Sequence, residues 1–250
     1  MIVVVSAIWQ TTCTAVRSGD EGFVIDSPVL PDELDALPGV FEQAGFPVSG
    51  LLCTHADWDH LLGRLAFPEA SLGCGERSAS RLDAEAGSAQ RKLRAFDEEY
   101  YVSREKPLGL AGIQSLPVPG QLSLGDIDLN LYPAGGHTAD GMAIWLAGPA
   151  MLVCGDYLSP VEIPMISEGG SVEAYLATLE LLEPLVGSAQ TVIPGHGAPL
   201  DGPAARRVLE EDIAYVRGLA SGGGLRTPLP RARRTAEQKR IHQENVGRLR

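Results

Sequence analysis

The chain has 250 residues, 44% of them hydrophobic and 21% charged, with a net charge of −12. Such a chain can bury a full core, and no apolar run approaches the roughly 20 residues needed to span a bilayer. The acidic balance disfavours partners held by a phosphate backbone, because that affinity needs clustered Lys and Arg.

Met1 to Val5 is apolar but lacks a basic leader and a small-residue cleavage site, so it reads as a first strand and a cytoplasmic location is expected. Residues 2 to 8, 12 to 17 and 22 to 26 form β-branched or alternating runs that predict strands. Asp32 to Ala44 predicts a helix, started after Pro31 and stopped near Gly45. Val48 to Cys53 predicts a strand, Asp59 to Ala66 a helix, and Glu76 to about Arg104 one or two helices. Leu122 to Leu124 and Ile127 to Tyr132 form a hairpin across Gly125-Asp126. Met142 to Ala147 pairs with Met151 to Cys154, and Ser171 to Leu182 is an apolar-periodic helix capped by Ser171. Gln190 to Ile193 is a short strand, and helices fill most of the chain after Pro203. This order suits an α/β chain of two sheets sandwiched between helical layers, taken as one domain over 1–250 with a helical part at about 203–250.

Cys13, Cys53, Cys74 and Cys154 are far apart and form no C-x-x-C pair, which argues against a zinc ribbon or a disulfide framework. They read as small buried thiols. The last 25 residues hold eight basic side chains against Glu237 and Glu244. Candidate partners for that tail are an acidic surface of its own subunit, a second copy in a homodimer, or a polyanion. The preferred reading is a solvated helix face, with His242 exposed and inert.

Residues 54 to 60 read Thr-His-Ala-Asp-Trp-Asp-His, placing two of the five histidines and two carboxylates in six consecutive positions from His55 to His60. These are ligands for divalent metals of mixed nitrogen and oxygen preference. Two further histidines stand in the glycine turns Gly135-Gly136-His137 and Gly195-His196-Gly197, and Gly155-Asp156 supplies another carboxylate. Each group follows a predicted strand, where loops at one sheet edge converge. Side chains two apart in an extended run project to one side. The run can therefore serve two ions, one taking His55 and Asp57 and the other Asp59 and His60, with His137, Asp156 and His196 as further candidates.

Taken together, these motifs in this order resemble the metallo-β-lactamase superfamily over nearly the whole chain. The resemblance implies a four-layer αββα sandwich with a two-metal site at one edge of the sheets. It implies that His55, Asp57 and His137 hold the first ion, that Asp59, His60 and His196 hold the second, and that Asp156 bridges them. One position departs, since the usual run is His-x-His-x-Asp-His and Asp57 replaces the second histidine. Asp57 is either a solvated acid beside an impaired first site or itself a ligand. Geometry favours the ligand, because an Asp oxygen and the nearer imidazole nitrogen are both bonded to the γ-carbon.

With three carboxylates and a hydroxide, two divalent ions form a neutral centre, against one net positive charge for the usual set. That lowers the acidity gained by bound water and makes iron or manganese more tolerable, with zinc still the first choice. The flavodiiron branch similarly carries a carboxylate (Glu) at this position and uses iron. Trp9, Trp58, Tyr157 and Glu162 are candidates to line the pocket, and Ser159 and Thr138 to orient ligands.

What the resemblance implies is hydrolysis by a bridging hydroxide, with Asp59 helping to orient it. The expected substrate is a small ester, thioester or lactone, with a glyoxalase II type thioesterase as the best analogy. The alternatives are a non-haem iron oxidoreductase, flavodiiron-like or persulfide-dioxygenase-like, and a phosphodiesterase or nuclease.

Overall fold

The structure, a computed structural model, describes residues 1–249. The first sheet runs in spatial order through β1 (Ile2–Val5), β2 (Thr12–Ser18), β3 (Glu21–Asp26), β4 (Gly50–Leu52), β5 (Leu72–Gly75) and β6 (Gln114–Leu116). Its first three strands are antiparallel and the rest parallel. Parallel neighbours need crossovers, and these contain α1 (Pro31–Gln43), α2 (Gly63–Ala66), α3 (Glu76–Ala84) and α4 (Ser88–Glu99). In α1, Pro31 at the first position suits the fixed φ of proline. Leu34, Leu37 and Phe41 recur at helical spacing and are all buried.

The second sheet contains β7 (Gly120–Leu124), β8 (Ile127–Pro133), β9 (Met142–Leu146), β10 (Met151–Val153), β11 (Thr191–Ile193) and β12 (Leu200–Asp201), in spatial order from β12 to β7. Only β10 and β11 pair in parallel, and α5 (Val172–Ser188) crosses between them. The outer layer on this side is completed by α6 (Gly202–Ala220) and α7 (Ala236–Arg248).

Three apolar clusters mark the interfaces of an αββα sandwich. Val16, Ile25 and Leu52 from the first sheet meet Leu131, Ile144 and Ile193 from the second. Leu34, Phe41, Leu62, Leu93 and Phe96 cover the outer face of the first sheet, and Tyr175, Leu179, Leu209, Val216 and Ile241 that of the second. Each fully buried aliphatic side chain stabilises the fold by roughly 1.5–3 kcal/mol. No helix among the described residues is long and apolar enough to cross a membrane.

Several elements differ from the sequence expectation. The helix expected over 59–66 is a 3-10 turn at Trp58–His60 followed by α2. β5, β6 and β12 were not foreseen, being two to four residues long and rich in glycine or polar side chains. α5 runs six residues past its expected end, through Pro184. Pro184 and Glu180 are both exposed, so the Glu180 carbonyl that loses its helical donor lies on the hydrated side.

The basic tail is not a solvated face. Gln238, Ile241, His242, Asn245 and Val246 of α7 are buried, and His242 Nδ1 lies 3.0 Å from the Tyr215 hydroxyl. The expectation of an exposed His242 is therefore corrected. Lys239, Arg240 and Arg248 occupy the outer side of α7, whose inner side is mixed polar and apolar, while Arg233 before it is buried and pairs with Asp212 and Glu211, a pattern that charge counting cannot see.

Candidate metal centre

β4, β8, β10 and β11 all lead into one edge of the sandwich, and the loops leaving them bring seven predicted side chains together. Asp156 lies at the middle. Its Oδ2 is 3.6 Å from His55 Nε2 and 3.2 Å from His137 Nε2, while Oδ1 is 3.1 Å from His60 Nε2 and 3.4 Å from His196 Nε2. Asp57 Oδ2 adds to the first group, 3.4 Å from His137 Nε2 and 3.7 Å from His55 Nε2. Asp59 Oδ2 adds to the second, 3.7 Å from both His60 and His196. Donors bound to one ion at about 2.0–2.2 Å in tetrahedral geometry lie about 3.4 Å apart, so the observed separations suit ligation of divalent metal ions, with His55, Asp57 and His137, His55, His60 and Asp156, and Asp59, His60 and His196 as candidate groups.

The backs of the rings are engaged in ways that leave Nε2 facing inward. Thr54 Oγ donates to Asp26 Oδ2 at 2.9 Å, so its oxygen accepts from His55 Nδ1 at 3.1 Å. His137 Nδ1 donates to the Met165 carbonyl at 2.9 Å and His196 Nδ1 to the Trp9 carbonyl at 3.0 Å. His60 Nδ1 lies 3.1 Å from Asp26 Oδ2. A donor bond at one nitrogen leaves the other as a lone pair and raises its basicity.

Nε2 of His55, His60 and His137 and Oδ1 of Asp156 are buried without an aligned hydrogen-bond partner among the described residues, as is His60 Nδ1, which is near Asp26 but forms no aligned bond to it. Orphaned buried acceptors are costly unless a cation satisfies them, so this donor set fits a pair of divalent ions. Electrostatics point the same way. Burial alone would lower His137 and His196, yet Asp156 with Asp57 pushes His137 up to about 9, and Glu162 with Asp156 pushes His196 up to about 10. The surroundings of His137 and His196 favour positive charge, whereas burial and the neighbouring His60 push His55 down.

Glycine turns make the convergence possible. A Cβ on Gly195 would stand 2.2 Å from Asp156 Oδ1 and 2.9 Å from the Gly155 backbone carbon. Gly195→Ala is therefore expected to displace Asp156 and lose metal, while costing the fold only about 1–3 kcal/mol. Metal content measured beside urea unfolding checks this, and full metal retention would contradict it.

A cavity of about 200 Å³ opens onto the cluster between Trp9, Glu162, Met165 and Ile241. Trp9 and Glu162 line it, whereas Trp58 and Tyr157 do not. Trp58 is buried behind Trp9, in an aromatic group with Phe96. Tyr157 is buried because its hydroxyl is used internally, donating to the Gly135 carbonyl and accepting from His137 N–H. Among the described residues no hydrogen bond joins Ser159 or Thr138 to a ring of the cluster, although Ser159 lines the cavity. Ser159 Oγ accepts from the backbone N–H groups of Val161 and Glu162, shaping the loop that carries Glu162.

Four residues were missed. Asp26 anchors Thr54 and backs His60. Asp140 Oδ2 accepts from Ala56 N–H at 2.8 Å, and Arg81 lies between Asp140 and Asp57. Asn245 of α7 accepts from Ile166 N–H at 2.8 Å and donates to the Pro164 carbonyl at 2.7 Å, fixing the segment that contains Met165. Asp26 shares one signal with Asp156, an acid at the end of an apolar strand; Arg81 and Asn245 carry none.

Sequence comparison agrees with this geometry. The model of the metallo-beta-lactamase superfamily matches residues 7–196, and the chain belongs to that superfamily. A metallo-beta-lactamase type 2 of Pseudomonas aeruginosa is 20% identical over 198 residues, covering 79% of this chain and 72% of that protein. A metallo-beta-lactamase family protein of Thermus thermophilus, TTHA1429, has a similar fold with a TM-score of 0.71 and 17% identity, over 99% of this chain and 93% of that one. TTHA1623 in a di-iron-bound form has a TM-score of 0.62 and 21% identity, over 83% and 98%. At these identities the solved structures speak for the fold alone.

Proposed function

We propose that the chain is a metal-dependent hydrolase of compact, uncharged esters or lactones. His55, Asp57 and His137 hold one divalent ion, Asp59, His60 and His196 a second, and Asp156 both. Bound there, the ions supply Lewis acidity for activating water and polarising a carbonyl. Asp59 faces the cavity and orients the attacking water, while Trp9, Met165 and Ile241 offer apolar surface to the acyl or ring portion of the substrate. The convergence of four imidazoles on the two oxygens of Asp156 is the observation that carries this reading.

The cavity supports the choice of substrate class. Its volume is below the roughly 300–1,000 Å³ usual for ligand pockets, which favours a small molecule. Among its described lining residues Arg240 is the only Lys or Arg, and its charge is matched by Glu237 and Glu244. Glu162 and Glu237 add carboxylates to the wall. Phosphodiesters and glutathione thioesters, both anionic, would meet repulsion there.

Elemental analysis of protein purified without added metal, joined to a panel of lactones, neutral esters, S-acyl glutathione and phosphodiesters, tests the proposal. About two divalent ions per chain are expected, with kcat/KM for neutral substrates at least about tenfold higher than for anionic ones. Asp57 and the di-iron form of TTHA1623 give iron a fair claim beside zinc. Iron with oxygen consumption and no ester turnover would replace this reading with an oxidoreductase.

A further inference from the structure

We propose that Arg81 is a positioning residue that makes Asp57 a one-oxygen ligand, an inference resting on the reading of Asp57 as a metal ligand. Arg81 Nη2 donates to Asp57 Oδ1 at 2.7 Å, leaving Oδ2 as the oxygen turned toward His55 and His137. Arg81 Nη1 donates to Asp140 Oδ1 at 2.8 Å. Asp140 is itself fixed, its Oδ2 accepting from Ala56 N–H at 2.8 Å and Ser78 Oγ at 2.9 Å. The planar guanidinium therefore spans two carboxylates with its place set by the more rigid one.

The arrangement answers two problems created by an acid at position 57. A neutral imidazole offers a cation one nitrogen, but a carboxylate offers two equivalent oxygens and can rotate or chelate. Engaging Oδ1 removes that choice. The second problem is charge: Asp57 and Asp140 would otherwise face each other in a mostly buried setting, with side chains 20% and 3% exposed. No other Lys or Arg among the described residues pairs with Asp57, Asp59 or Asp156. Arg81, which also pairs with Asp140 and through Nε with Glu85 at 3.5 Å, thus offsets part of the charge that the acid at position 57 adds, and Asp57 and Arg81 act as a unit in place of one imidazole.

The test is a double-mutant cycle on the full chain with zinc as the probe, read by chelator competition and by the absorption spectrum of the cobalt(II)-substituted protein. Arg81→Gln is expected to weaken one of the zinc sites about 10–100-fold and to alter the cobalt spectrum, with Arg81→Lys intermediate. In an Asp57→His background the same Arg81→Gln change is expected to cost less than about threefold. Unchanged affinity and spectrum in Arg81→Gln, or an equal loss in the Asp57→His background, overturns the proposal. Should Arg81→Gln alone not fold, a folded, zinc-binding Asp57→His/Arg81→Gln protein supports it. An unfolded double variant overturns it, since Arg81 would then act through Asp140. Failure of the unsubstituted chain to bind zinc or cobalt would instead count against the dinuclear reading.

Discussion

Asp156→Ala is expected to leave a folded protein with at most about one tightly held divalent ion and hydrolysis reduced on the order of 10³-fold or more. The reason is the division of labour between its two oxygens, Oδ2 toward His55 and His137 and Oδ1 toward His60 and His196. In the two-ion arrangement proposed above Asp156 alone would touch both ions, so its loss is expected to separate the two groups. The fold should survive, because the backbone around Asp156 is held separately, its carbonyl accepting from the Tyr175 hydroxyl at 3.1 Å. Ligands that bind only the native state raise stability by mass action, about 4 kcal/mol at a thousandfold excess over Kd. Unfolding midpoints should therefore rise on adding zinc to the native chain and far less in the variant, while the two agree in excess chelator. Retention of two ions by Asp156→Ala would remove the bridging role.

The second large effect is expected far from the cluster. Asn245→Leu should destabilise the protein by about 2–5 kcal/mol, because it strands the Ile166 N–H and the Pro164 carbonyl inside the structure at about 1–3 kcal/mol each. Asn245 is fully buried and also donates to the Tyr215 hydroxyl at 3.0 Å. Met165, whose carbonyl orients His137 Nδ1, lies between the two stranded groups. Metal affinity should therefore fall with stability, by about tenfold or more. Gln243→Leu, on the exposed side of the same helix, is the control and should change neither. Urea unfolding and zinc competition on both variants check this; loss of stability with unaltered zinc affinity would confine α7 to a packing role.

The seven clustered residues were legible in the sequence for a physical reason. Four lie in one six-residue run, and the others stand in glycine turns that follow apolar strands, so local chemistry announces them. Residues that act through other residues were not. Arg81 sits in a polar helix where one more arginine is unremarkable, and Asn245 in a tail whose charge suggests solvent. Trp58 and Tyr157 failed for the opposite reason, since being beside a ligand in sequence does not decide which side of the backbone a side chain takes. β5 was hidden because Leu72-Gly-Cys-Gly is too short and glycine-rich for a strand pattern. A Cβ on Gly73 would come within 3.0–3.1 Å of Leu52 and Leu116, so those side chains would have to shift by a few tenths of an ångström to admit one.

The donors are divided between the halves of the sandwich. Asp57, Asp59 and the histidines at 55 and 60 follow the fourth strand of the first sheet, whereas His137, Asp156 and His196 follow strands of the second. Protein bonds across this seam include Thr12 N–H and Oγ to the Gly195 and Pro194 carbonyls. Cations seated there would rivet one half to the other, so an unloaded chain is expected to be loosest along this seam.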